Sequence, residues 1–80
     1  MTGRAEIYAD IDTERTRQIA KFGDQNIANK DMHPDVKLRI LVEEVGEVAR
    51  AIDNQDIRNL RDELVQIAAV AVGWLESMQR

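Results

Sequence analysis

LVEEVGEVARAI, residues 41–52, reads as an amphipathic helix with three glutamates, Glu43, Glu44 and Glu47, set within five positions. Working outward, Leu38, Leu41, Val45, Val48 and Ile52 recur at intervals of 3, 4, 3 and 4, which is one apolar stripe on an α-helix. The stripe is expected to be the core face of a helix from about Pro34 to Ile52, with Pro34 suited to its first turn. Adjacent like charges repel, and carboxylates are costly to hold near a core. The glutamates therefore need an explanation of their own.

On the C-terminal side, DNQD (53–56) is a short polar break that favours an antiparallel hairpin into a helix from about Ile57 to Met78. Leu60, Leu64, Ile67, Ala71, Trp74, Leu75 and Met78 form its stripe, with Trp74 expected to be structural. Val65, Ala69 and Val72 lie about 100° or more from that stripe, so the second half of the helix is apolar nearly all round. Cover on two sides implies a partner chain. The simplest is a symmetric homodimer in which the two long helices of each copy form a four-helix bundle, with a dimer of dimers as the larger possibility.

On the N-terminal side, FGDQNIANKDMHPD (22–35) contains Gly23, several Asn and Asp residues and the only proline, and reads as a connection. A loop this long in so small a domain is often functional. Before it, a first helix is expected from Ala5 or Asp12 to Phe22, with Asp12 or Thr13 able to cap an inner start. No alternating or valine-rich run reads as a strand, so the expected class is all-α, in one domain spanning 1–80.

Fifteen acidic and eleven basic side chains give a net charge of −4, which argues against nucleic acid as a partner. Without cysteine there is no disulfide or thiolate metal site, a composition compatible with the cytoplasm. The longest apolar stretch, Leu64 to Leu75, falls short of the roughly 20 residues that span a bilayer, so no membrane association is expected.

On a helix Glu44 and Glu47 are three apart and Glu43 and Glu47 four apart, so the trio gathers within about one turn, with Glu44 at the border of the stripe. Glu63 and Gln66 are also three apart and flank the stripe of the next helix. In an antiparallel hairpin the two polar patches can face each other. Converging oxygens suit a hard divalent cation, Mg2+ or Mn2+, which would also remove the repulsion among the glutamates. The same spacing equally fits a solvated face laced with weak ion pairs to Arg39, Arg50 and Arg61, and Gln66 equally fits a structural hydrogen bond across the helices.

Glu43-Glu44-Val45-Gly46-Glu47, followed by Glu63-Leu64-Val65-Gln66, resembles the EExxE and ExxD elements of the MazG-like all-α nucleoside triphosphate pyrophosphatases. ERTRQIAKFGDQ (14–25) is similar to the helix and loop preceding that signature in short, stand-alone members of the phage type. The resemblance implies hydrolysis of a nucleoside triphosphate to the monophosphate and pyrophosphate. It further implies Mg2+, with Mn2+ as a substitute, on Glu44, Glu47, Glu63 and Gln66, where Gln66 departs from the usual Asp. Glu43 would polarise the attacking water or hold a second ion, and Lys37 would stabilise the leaving pyrophosphate, with Lys21 and Arg61 behind it. Gln18, Phe22 and Gln25 fall in the segment similar to the family's substrate-contacting region, although Phe22 also fits the core, which is its favoured place. His33, beside Pro34, is expected to cap or lie in the loop. Two other readings stay open: a catalytically weak nucleotide-binding relative, and a non-enzymatic helical interaction module.

Overall fold

The computed structural model describes residues 3–79, so Met1, Thr2 and Arg80 of the expected 1–80 span lie outside the described residues. Three helices, α1 (Arg4–Phe22), α2 (Pro34–Asp53) and α3 (Ile57–Ser77), are joined by a loop that opens with a 3-10 turn at Gly23–Gln25 and by a tight connection. No strand occurs among the described residues, as the sequence leads one to expect.

The helix ends follow from local chemistry. α1 runs unbroken from Arg4, so neither Asp12 nor Thr13 caps an inner start. It stops where Gly23 takes φ 56° and ψ −130°, a conformation open to glycine and strained for other residues. His33 is the N-cap of α2, its Nδ1 accepting from the Asp35 N–H at 3.1 Å, and Pro34 follows in the first turn.

At the other end of α2 the Asp56 N–H donates to the Ala51 carbonyl and the Gln55 N–H to the Ile52 carbonyl, both at 3.0 Å. This pair of bonds is a Schellman motif, with Gln55 at φ 55° in the position that usually takes glycine. Asp56 then caps α3 by accepting from the Asn59 N–H at 3.1 Å. Left-handed backbone costs a residue with a Cβ about 1 kcal/mol, so Gln55→Gly is expected to stabilise the chain by up to about that amount. Thermal unfolding should show a midpoint raised by up to about 4–8 °C. An unchanged or lowered midpoint would mean that Gln55 bears no strain.

α3 packs against both α1 and α2, which make no close backbone approach to each other. The short connection makes α2 antiparallel to α3. Asp10 meets Arg61 and Arg15 meets Glu76, so α1 runs in the same direction as α3. α1 and α2 are thus two walls with α3 as the floor between them. Small residues at the crossings, Ala51, Ala69 and Gly73, are buried and let the backbones come close.

The helical stripes are turned differently from expectation. In α2 the inward face is Lys37, Ile40, Glu44, Glu47, Val48 and Ala51, while Leu38, Val45 and Ile52 of the expected core face are exposed, Val45 at 52 %. Glu44, expected at the border of the stripe, sits near the centre of the inner face. In α3 the innermost positions are Glu63, Ala69, Val70 and Gly73, while Leu64, Leu75 and Met78 of the expected stripe are exposed. Ala69, expected to face a partner, is fully buried within the chain, and Trp74 is half-buried. The physical reason is that the helices turn polar side chains toward the space between α1 and α2, which leaves their most apolar surface outside.

Candidate functional site

A cavity of about 310 Å3 opens in that space. α1 contributes Glu14, Arg17, Gln18, Lys21 and Phe22; the loop contributes Gln25, Asn26 and Ile27; α2 contributes Glu43 and Glu44; and Gln66 and Val70 of α3 form the floor. Seven residues singled out in the sequence, Gln18, Lys21, Phe22, Gln25, Glu43, Glu44 and Gln66, therefore share one cavity although they come from four segments of the chain.

Across the hairpin the Glu63 carboxyl lies close enough to Glu44 to disfavour its charged form. With both ionised, neither has a donor, and Oε2 of each is buried without a partner. Burial above all, then the facing Glu63 carboxyl and the charges of Glu47 and Glu14, push the Glu44 carboxyl above the ordinary carboxylate range. Its contribution to stability is complete at pH values below the unfolded glutamate value of about 4.3 and is lost as pH rises through the elevated folded value. Without added metal, Glu44→Gln is therefore expected to raise the unfolding midpoint at pH 7.5 and to leave it nearly unchanged at pH 4. A midpoint lowered at pH 7.5 would show that the charge of Glu44 is already compensated in the free chain.

The remaining expected site residues are placed less centrally. Glu47 is half-buried and paired with Arg50 one turn on, and its charge also reaches Glu44. Among the described residues no group of three or more acidic or histidine side chains stands ready to hold a metal. The expected set of Glu44, Glu47, Glu63 and Gln66 is thus represented by a facing pair, with Gln66 lining the cavity beside it. Lys37 is 3 % exposed on the inner face of α2 and does not line the cavity. Arg61 donates to Asp10 Oδ2 at 2.7 Å in a neighbouring open cleft of about 370 Å3. Phe22, expected in the core, is 52 % exposed at the cavity wall, with Lys21 Nζ 5.2 Å from its ring centroid.

Two residues escaped the sequence reading. Arg17 grips Glu14 through two bonds of 2.8 and 2.7 Å, which hold the Glu14 carboxyl below the ordinary range, and both line the cavity and the neighbouring cleft. Their signal was present in the spacing: Glu14, Arg17, Gln18 and Lys21 fall three and four apart on one face of α1.

An all-α chain with a polar cleft walled by two helices, and with facing carboxylates beside it, is the class that fold and site define. The family model for the MazG nucleotide pyrophosphohydrolase domain matches residues 33–76, more than half of the chain, and the chain belongs to that family. The matched segment begins at the N-cap of α2 and ends in the last turn of α3, so it contains both carboxylates of the pair. No curated protein and no solved structure matched the chain.

Proposed function

We propose that this chain hydrolyses a nucleoside triphosphate to the nucleoside monophosphate and pyrophosphate in the cleft between α1 and α2. The observation that carries the reading is the Glu44–Glu63 pair, a half-buried and a buried carboxylate on adjacent helices, each with a buried oxygen that lacks a donor. Family membership supplies the reaction class.

A divalent cation fits the pair, because hard oxygen donors without partners are what Mg2+ or Mn2+ takes, and Mg2+ keeps several waters and needs few protein ligands. Glu44 and Glu63 would hold it, with Glu47 joining on release from Arg50 and Gln66 offering a neutral amide oxygen. When bound, such an ion neutralises phosphate oxygens and acidifies water.

Glu43, exposed at the cavity wall, is placed to take the proton of a water that adds across the α–β anhydride bond. The bridging oxygen then leaves with pyrophosphate. Lys21 and Arg17, the two cations lining the cavity, are better placed than Lys37 or Arg61 to meet the polyphosphate charge. Phe22 offers a face on which a base can stack, and the amides of Gln18 and Gln25 can hydrogen-bond its edge.

The outward apolar faces of α2 and α3 support a homodimer in which these helices form a four-helix bundle, with a dimer of dimers as the larger assembly. No helix among the described residues is long and apolar enough to cross a membrane, and a cytoplasmic location accords with this reaction class.

The test is a panel of canonical and modified ribo- and deoxyribonucleoside triphosphates incubated with Mg2+, with products resolved by ion exchange. Monophosphate and pyrophosphate in equal amounts are expected from at least one substrate. Nucleotide-dependent thermal stabilisation without product would favour a catalytically weak binding relative. Indifference to both nucleotide and metal would favour a helical interaction module.

A further inference from the structure

Arg15 is 4 % exposed, yet it does not line the cavity. Its Nε donates to Glu76 Oε1 at 2.9 Å, and its Nη2 donates to Glu76 Oε2 at 3.2 Å and to Asn26 Oδ1 at 2.7 Å. One guanidinium thus joins three segments: α1, the loop after it and the last turn of α3. Asn26 passes the restraint into the loop, because its Oδ1 also accepts from the Ala28 N–H at 2.9 Å and its Nδ2 donates to the Gly23 carbonyl at 2.6 Å.

The guanidinium lies against a glycine. A Cβ at Gly73 would stand 2.8 Å from Arg15 Nε and 2.9 Å from its Cζ and would run into Ile27 Cγ2. Ile27 is itself buried and lines the cavity beside Gln25 and Asn26. Lys30 adds a second tie between the loop and the end of α3 by donating to the Gln79 carbonyl at 2.8 Å.

Burying an arginine is costly, the more so here because Nη1 is buried without a partner, and an apolar side chain would fill the same space at lower cost. What the arginine supplies that an apolar residue does not is a directed hold on a polar loop. We propose that Arg15 is a positioning residue, whose clamp between Glu76 and Asn26 sets the loop wall formed by Gln25, Asn26 and Ile27 and so fixes the width of the nucleotide cleft. This rests on the cleft being the nucleotide site.

The test compares wild type, Arg15→Lys and Glu76→Gln by backbone hydrogen exchange and by steady-state kinetics. Glu76 is away from the cavity lining, so an effect of its substitution on substrate must travel through Arg15. In both variants the amides of Asn26, Ala28 and Asn29 are expected to exchange about tenfold faster, the factor for losing one hydrogen bond to a charged group. Amides in the middle of α2 and α3 should stay protected. KM should rise by a similar factor while kcat changes little, since substrate binding alone pays for reordering the loop. Unchanged loop exchange would overturn the proposal. So would faster exchange with an unaltered KM, which would leave the clamp structural only. If Arg15→Lys fails to fold, Glu76→Gln, substituted at a half-exposed site, gives the same readouts. If the wild type hydrolyses no triphosphate, the nucleotide reading falls by itself, and loop exchange still decides whether Arg15 holds the wall.

Discussion

Glu44→Gln and Glu63→Gln are each expected to reduce triphosphate turnover by about a hundredfold or more, the scale for removing one preorganised charged group from a reacting centre. Each substitution keeps the side-chain shape and removes one charge. On the proposed chemistry the two facing carboxyls serve as one unit, so the double variant should be little worse than either single one. Helical content should persist in all three, because neither carboxylate accepts a hydrogen bond that the fold depends on. Full turnover in either single variant would remove the pair from the proposed chemistry.

Val45→Asp is expected to dissociate the protein. Val45, Leu38, Val42 and Ile52 lie on the outward side of α2 and are each half-exposed in the isolated chain. Covering the exposed half of Val45 in both copies of a symmetric dimer contributes about 1.5–3 kcal/mol in total, and an aspartate there would lose that and bury an unpaired charge in each copy. A dissociation constant weakened by more than about a hundredfold corresponds to a loss of about 2.7 kcal/mol, well within that range. Sedimentation at micromolar concentration should show a dimer or larger assembly for the wild type and a monomer for the variant. A monomeric wild type would mean that the exposed faces are not an interface between copies.

What the sequence made legible was the part governed by local chemistry. His33, Pro34 and Asp56 set helix starts within one turn of where they were read, and DNQD closes the hairpin as its composition suggests. The orientation of the helices was not legible. Periodicity locates an apolar stripe but does not say whether the same chain or another covers it. In α2 the inner face includes Lys37, Glu44 and Glu47, which a hydropathy pattern assigns to the outside, beside Ile40, Val48 and Ala51.

The candidate site divides in the same way. Glu44 and Glu63 could be paired from the spacing on two antiparallel helices, whereas Glu47, read as a third ligand, is paired with Arg50 in the free chain, a partner equally visible in the sequence. Local spacing alone does not decide between those two pairings. The Arg15–Glu76 clamp joins residues 61 positions apart, and no short pattern announces such a contact.

The most direct test of the account is a Mn2+ titration followed by electron paramagnetic resonance, in wild type and in Glu63→Gln at pH 7.5 without nucleotide. The account predicts Mn2+ binding in the wild type, competed by Mg2+ and lost in the variant. Equal binding in the two proteins, or none in the wild type with or without a triphosphate, would contradict it.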